Sequence, residues 1–116
     1  MRVLVLEDNL MWSARLRQSL VGLGHEAIML DRIPKELPQA DVAILNLGSD
    51  KLWSAELVSA LKDQGAHVVG HAGHKEKQLL AAGREEGCDQ VVSNSTLTFK
   101  LADVLDQAGI STRPTS

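Results

Sequence analysis

Apolar positions along this chain fall into short, nearly unbroken blocks, separated by longer stretches in which they recur every three or four residues. Five blocks read as strands: Val3 to Leu6, Glu26 to Leu30, Val42 to Leu45, Val68 to His71 and Gln90 to Val92. They are rich in aliphatic residues, and most lack a polar alternation, the pattern of strands covered on both faces. The stretches between them have helical spacing. Trp12, Leu16, Leu20 and Leu23 follow steps of four and three, and Gly24 closes the run. Trp53, Leu57, Val58 and Leu61 do the same before Gly65, and Leu97, Leu101, Val104, Leu105 and Ala108 form a last stripe before Gly109. The stretch from Lys75 to Glu86 has helix-forming composition and a thin apolar face at Leu79 and Leu80. Residues 33–40 carry Pro34 and Pro38 and have room for one or two turns at most. The residues after Ile110 show no periodicity and read as a loose tail.

Strand and helix thus alternate five times, which predicts an α/β domain with right-handed crossovers and a parallel sheet covered on both sides. At this length the common solution is a doubly wound, three-layer, flavodoxin-like sheet of strand order 2-1-3-4-5. Its functional crevice lies at the carboxyl ends of the first and third strands. The polar residues leaving each strand are therefore the ones with chemistry to offer. They are Glu7 and Asp8, then Asn46, then His71 and Ala72, then Ser93 and Asn94.

Composition narrows the function classes. A chain of 116 residues builds one core, read as a domain over residues 1–109 with a tail at 110–116. A formal net charge of −3 offers no general attraction to nucleic acid or to an anionic membrane. No apolar run approaches the ~20 residues of a membrane span, and the first residues read as a strand rather than a secretory leader. Cys88, the only cysteine, forms no internal disulfide and no zinc framework, so the expected setting is cytoplasmic. His67 and His71 share a strand face about 13 Å apart at ~3.3 Å per residue, too far for one ion, and His71 and His74, which a turn could bring together, lack a third ligand. No nucleophile elbow, P-loop or dinucleotide fingerprint is present, and nothing marks an enzyme.

The polar residues carry a family resemblance. Val3-Leu-Val-Leu-Glu-Asp-Asn9 resembles the first strand of a response-regulator receiver (CheY-like) domain, with its acidic pair at the tip. Asp41-Val-Ala-Ile-Leu-Asn-Leu-Gly48 resembles the third strand, with Asn46 where the phosphate-accepting aspartate stands. Glu86-Gly-Cys-Asp-Gln-Val-Val-Ser-Asn-Ser95 resembles the run into the fifth strand and its lysine loop. The resemblance implies a pocket in which three carboxylates hold Mg²⁺, while a hydroxyl and a lysine hold the phosphoryl oxygens. Carried over residue by residue, Glu7 and Asp8 keep the acidic pair and Asn46 replaces the nucleophile. Ala72 falls in the hydroxyl position, Asn94 in the lysine position, Ser95 in that of the following proline and Val91 in the aromatic one. A shift of one residue offers His71 and Ser93 instead, which supplies neither the hydroxyl nor the lysine. The charge sum of the pocket is nevertheless kept: three carboxylates and a lysine give −2, and so do Glu7 and Asp8 alone.

The implied protein is a degenerate receiver, a pseudo-receiver that signals by protein contact without phosphorylation. Two other readings stand beside it: a phosphorelay receiver with an atypical site, and a flavodoxin-like domain that uses the vacated crevice for a small ligand. Glu7 and Asp8 would hold Mg²⁺ weakly at best, and Asp8 or Asn9 reads equally well as the N-cap of the first helix. Trp12 and Trp53 read as core, with Trp12 able to reach the crevice rim. The resemblance places a protein partner, or a second copy, on the face of the fourth helix (75–86), the fifth strand and the last helix. If that last helix is continuous, Phe99 lies about 200° from Leu97, on the outer side with Asp103 and Asp106. An exposed aromatic among charges would be a contact anchor. Folding of Phe99 back over the loop at Asn94 is the alternative.

Overall fold

Five parallel strands and their helices make up the computed structural model, which describes residues 1–112 of the chain. The elements run β1 (Arg2–Leu6), α1 (Leu10–Gly22), β2 (Glu26–Leu30), β3 (Val42–Asn46), α2 (Ala55–Asp63), β4 (His67–Ala72), α3 (Lys77–Glu85), β5 (Gln90–Ser93), α4 (Asn94–Phe99) and α5 (Leu101–Thr112). The sheet order is β2-β1-β3-β4-β5, as the alternation predicts. The aliphatic runs take the central places: Val3 to Leu6 in β1 and Val42 to Leu45 in β3 are fully buried, while edge strands β2 and β5 are only half-covered.

Two cores follow from the pleat, because successive side chains point to opposite faces. On one face Val3, Val5, Val42, Ile44 and Val69 meet Leu16 and Leu20 of α1, Leu97 of α4 and Leu101, Val104, Leu105 and Ala108 of α5. On the other face Leu4, Leu6, Ala43, Leu45 and Val68 meet Leu57, Val58 and Leu61 of α2, with Leu52 beside them. Asn9, Ser54 and Ser93 each cap a helix by accepting a backbone N–H three residues on. Gly24 and Gly65 follow α1 and α2 with φ of 87° and 90°, the left-handed turn that ends a helix without a Cβ penalty.

Several elements differ from the periodicity. Residues 31–40 form no helix at all, since Pro34 and Pro38 remove donors a short helix would need. Leu23 is not on the buried stripe but 46% exposed, and Trp53 precedes α2, where its indole N–H donates to the Leu47 carbonyl (3.1 Å). The last stripe is two helices. Thr98 turns its hydroxyl onto the Asn94 carbonyl (2.9 Å), and Lys100 leaves helical geometry (φ −126°, ψ 34°) between α4 and α5. A threonine bonded to the carbonyl four residues back bends a helix, and Thr96, Thr98 and Phe99 add little propensity to resist it. Helix α5 passes through Gly109 to Thr112 rather than stopping, so the expected boundary at 109 moves. Residues 113–116 of the predicted tail lie outside the described residues. No described helix is long and apolar enough to cross a membrane.

Candidate functional site

The same pleat that builds the α1/α5 core carries polar side chains out over its upper end. Val3 and Val5 point to that face, so Glu7 follows them, and Asn46 follows Val42 and Ile44. Val69 places His71 there, and Val92, packed on the same core, places Asn94. The strand register brings them side by side, with Leu6 opposite Leu45 and Asn46 opposite His71. Together with Asn9 and Trp12 they line a crevice of about 160 Å³.

Glu7 is buried and fully engaged. Its Oε2 accepts the backbone N–H groups of Asp8 (3.0 Å) and Asn9 (3.1 Å), and the Asn46 side-chain amide donates to both carboxylate oxygens at 3.1 Å. Asn46 is fixed at its other end, where Oδ1 accepts the N–H of Gly48 (2.9 Å). A charged acceptor with this many donors is well compensated in a buried setting. The arrangement also explains why an amide suits position 46. It supplies donors to a carboxylate that would otherwise face a second carboxylate or need a cation.

His71 is 2% exposed and lies with its ring stacked on Trp12, the centroids 4.9 Å apart. Its Nδ1 donates to Asn94 Oδ1 at 2.7 Å, because an amide oxygen accepts only. Nε2 is then an acceptor, buried without a hydrogen-bond partner and 3.9 Å from Glu7 Oε1. Burial lowers the His71 pKa from the ordinary histidine value, opposed by the Asn94 hydrogen bond and the Glu7 charge.

Among the residues named from the sequence, Glu7, Asn46 and Asn94 are brought together. Two are not. Asp8 is exposed outside the crevice lining, where it accepts the Ser49 hydroxyl at 3.4 Å, and it does not cap α1, because Asn9 does. Ala72 is buried, but strand alternation turns it to the face of Val68, away from the crevice. His71, which the sequence offered only as the one-residue shift from Ala72, is the residue of β4 that enters the crevice, and parity with Val69 is the signal that selects it. Ser93 caps α4 by accepting the Thr96 N–H (3.1 Å). His67 pairs with Gln90, and no cluster of three potential metal ligands exists among the described residues. The Cys88 thiol is half-buried and pushed up to about 11, by burial first and then by Asp89, which leaves it a packing residue. Phe99 ends α4 with 83% of its surface exposed, so it does not fold over Asn94. Asp103 and Asp106 are exposed on α5, and the break at Lys100 means no single helical wheel relates them to Phe99.

No protein-family model matches the sequence, and no curated protein matches it either. The fold has many solved counterparts. The Francisella response regulator 1452 receiver domain superposes with a TM-score of 0.74 at 15% identity, covering 97% of this chain and 98% of its own. A two-component response regulator from Clostridium difficile gives a TM-score of 0.77 at 11% identity, covering 98% and 99%. A response regulator from Burkholderia pseudomallei, solved with a phosphorylated aspartic acid, a calcium ion and citrate, gives 0.71 at 13% identity, covering 98% and 75%. At such identities the likeness is one of fold: this chain has the receiver-domain architecture, with Glu7, Asn46, His71 and Asn94 at its crevice.

Proposed function

We propose that this domain is a pseudo-receiver, a cytoplasmic signalling module that works by protein contact and neither accepts a phosphoryl group nor catalyses a reaction. The observation that carries the reading is the Asn46 amide donating to both oxygens of Glu7. An acyl phosphate needs a carboxylate nucleophile, and an amide whose nitrogen and oxygen are both spent on hydrogen bonds offers none. The structurally similar Burkholderia protein was solved with a phosphorylated aspartic acid, and the resemblance puts Asn46 in the place of a phosphate-accepting aspartate in this chain. The neighbouring positions support the same reading. His71 and Asn94 bond to each other, and neither is the hydroxyl or the lysine that would hold phosphoryl oxygens.

Mg²⁺ binding is weak at best in this reading. Glu7 already receives the N–H groups of Asp8 and Asn9 together with the Asn46 amide, and the remaining carboxylate, Asp8, points outside the crevice. A hard divalent cation takes several oxygen ligands and would have to displace those donors. The partner, a protein or a second copy of this chain, is assigned to the face of α3, β5 and α5, where Phe99 is the exposed anchor beside the Asp103 and Asp106 helix. The atypical phosphorelay reading has no observation in its favour. Incubation with Mg²⁺ and acetyl phosphate, followed by intact mass, should show no added phosphoryl group. A stoichiometric gain of one, lost in Asn46→Ala, would overturn the proposal.

A further inference from the structure

The crevice has one buried acceptor, on His71, with no donor to meet it, beside a carboxylate oxygen already bonded to Asn46. His71 Nε2 is buried and unpartnered, and Glu7 Oε1 lies 3.9 Å from it. Glu7 carries the charge of the lining, and Asp8 adds a second negative charge just outside. The other lining residues, Asn9, Trp12, Asn46 and Asn94, are neutral. Two acceptors at this spacing in a negative field match a group with several N–H donors and a positive charge, and they repel an anion. Trp12 adds an aromatic wall suited to a cation. Between Asn9 and Trp12 in the sequence, Leu10 and Met11 are 78% and 85% exposed, apolar surface on the helix that borders the crevice. A methylene stem ending in an ammonium fits both parts.

We infer that the crevice receives a lysine side chain from the partner protein, its ammonium donating to His71 Nε2 and Glu7 Oε1 and its stem lying against Leu10 and Met11. This rests on the interaction-module reading and gives it a partner chemistry: a basic side chain projecting from an otherwise apolar segment. The contact is additional to the α3, β5 and α5 face, since its residues come from the turn after β1 and from α1, β3, β4 and α4. The ammonium satisfies a buried acceptor whose unmet bond is a standing cost, so the crevice discriminates for charge and donor count together.

The test uses isotope-labelled domain titrated with the peptide acetyl-Leu-Lys-Leu-amide, followed through the His71 ring signals and the Asn46 and Asn94 side-chain amides. Saturable shifts at those groups are expected, with a Kd on the order of millimolar for so small a probe. The same peptide acetylated on the lysine Nε should give none. Glu7→Gln should weaken binding roughly tenfold. If that variant fails to fold, His71→Phe keeps a ring against Trp12 while removing Nε2, and it should weaken binding similarly. Absence of a saturable shift, or an equal response to the acetylated peptide, overturns the inference. Methylammonium binding as tightly as the peptide would assign the crevice to a free amine and also overturn it. Phosphoryl uptake in the mass experiment would sink the underlying reading whatever the peptide does. No uptake together with no peptide response would sink this inference alone.

Discussion

At the scale of single residues, the site is decided by Asn46. Its amide is the counterpart of a buried carboxylate, so replacing it with a second carboxylate removes two donors and sets like charges at about the same 3.1 Å. Asn46→Asp should therefore cost about 1–3 kcal/mol at neutral pH, with the deficit shrinking on acidification as the pair takes up a proton. Urea denaturation at pH 7 and pH 5 checks this, and an Asn46→Asp variant as stable as the parent at pH 7 would mean Glu7 is not held by the amide. His71 gives a pH dependence of its own. Its pKa is lowered in the folded protein from an ordinary value of 6.5, so below that value the unfolded chain binds more protons than the folded one. Stability must then fall as pH drops from about 6.5 toward the depressed value. His25, also lowered by burial and by the N-terminal ammonium, contributes a background common to any His71 variant. The urea midpoint should fall less between pH 7.5 and pH 5.5 in His71→Gln than in the parent, and parallel curves would contradict the assignment. Sequence alone made Glu7, Asn46 and Asn94 legible because each stands at the end of a strand or directly after one. It misplaced Ala72 and Asp8 because a family alignment counts positions, whereas the pleat counts faces. His71 was weighed with His67 and His74, near it in the chain, when its neighbours in space are Glu7, Trp12 and Asn94 from other elements.

At the scale of elements, helix α3 is held by absent side chains. Leu47, just after β3, is fully buried, and it fits because Gly70 in β4 and Gly83 in α3 leave it room. A Cβ at Gly83 would stand 2.7 Å from Leu47 Cδ1, so Gly83→Ala should destabilise by about 1–3 kcal/mol despite the better helix propensity of alanine. Gly22, at the end of α1 with nothing within 4 Å, is the control. Gly22→Ala should be neutral or stabilising by up to about 1 kcal/mol. Thermal melts of both variants settle the sign, and a Gly83→Ala domain more stable than the parent would refute the packing account. Strands and the helices α1 and α2 were legible because burial and period agree, and α3 from its helix-forming composition. The break at Lys100 was not, since Leu97, Leu101 and Val104 keep a helical step across it. What parts the two helices is a threonine hydroxyl, which hydrophobic periodicity does not register.

At the scale of the whole molecule, the strand order followed from alternation alone, because chirality and length leave few ways to bury five such strands. The connection from β2 to β3 shows where that logic stops. Alternation asks for a crossover, and the chain supplies one, but residues 31–40 make it without helical turns. They are tied down only toward their end. Leu37 packs on the α2 core, Ala40 is buried there, and Gln39 donates to the Gln64 carbonyl (3.0 Å). Before that, Asp31, Arg32 and Ile33 lie exposed, as do Lys35 and Glu36. Cutting the backbone between Lys35 and Glu36 would sever no regular element. A polypeptide with new termini at that point, its old ends joined by a flexible linker, should fold to the same far-ultraviolet spectrum and melt cooperatively. Loss of the cooperative melt would show that this passage is a structural member after all. If it folds, the molecule has a natural seam, one through which a reporter could be spliced without disturbing the crevice at the other strands.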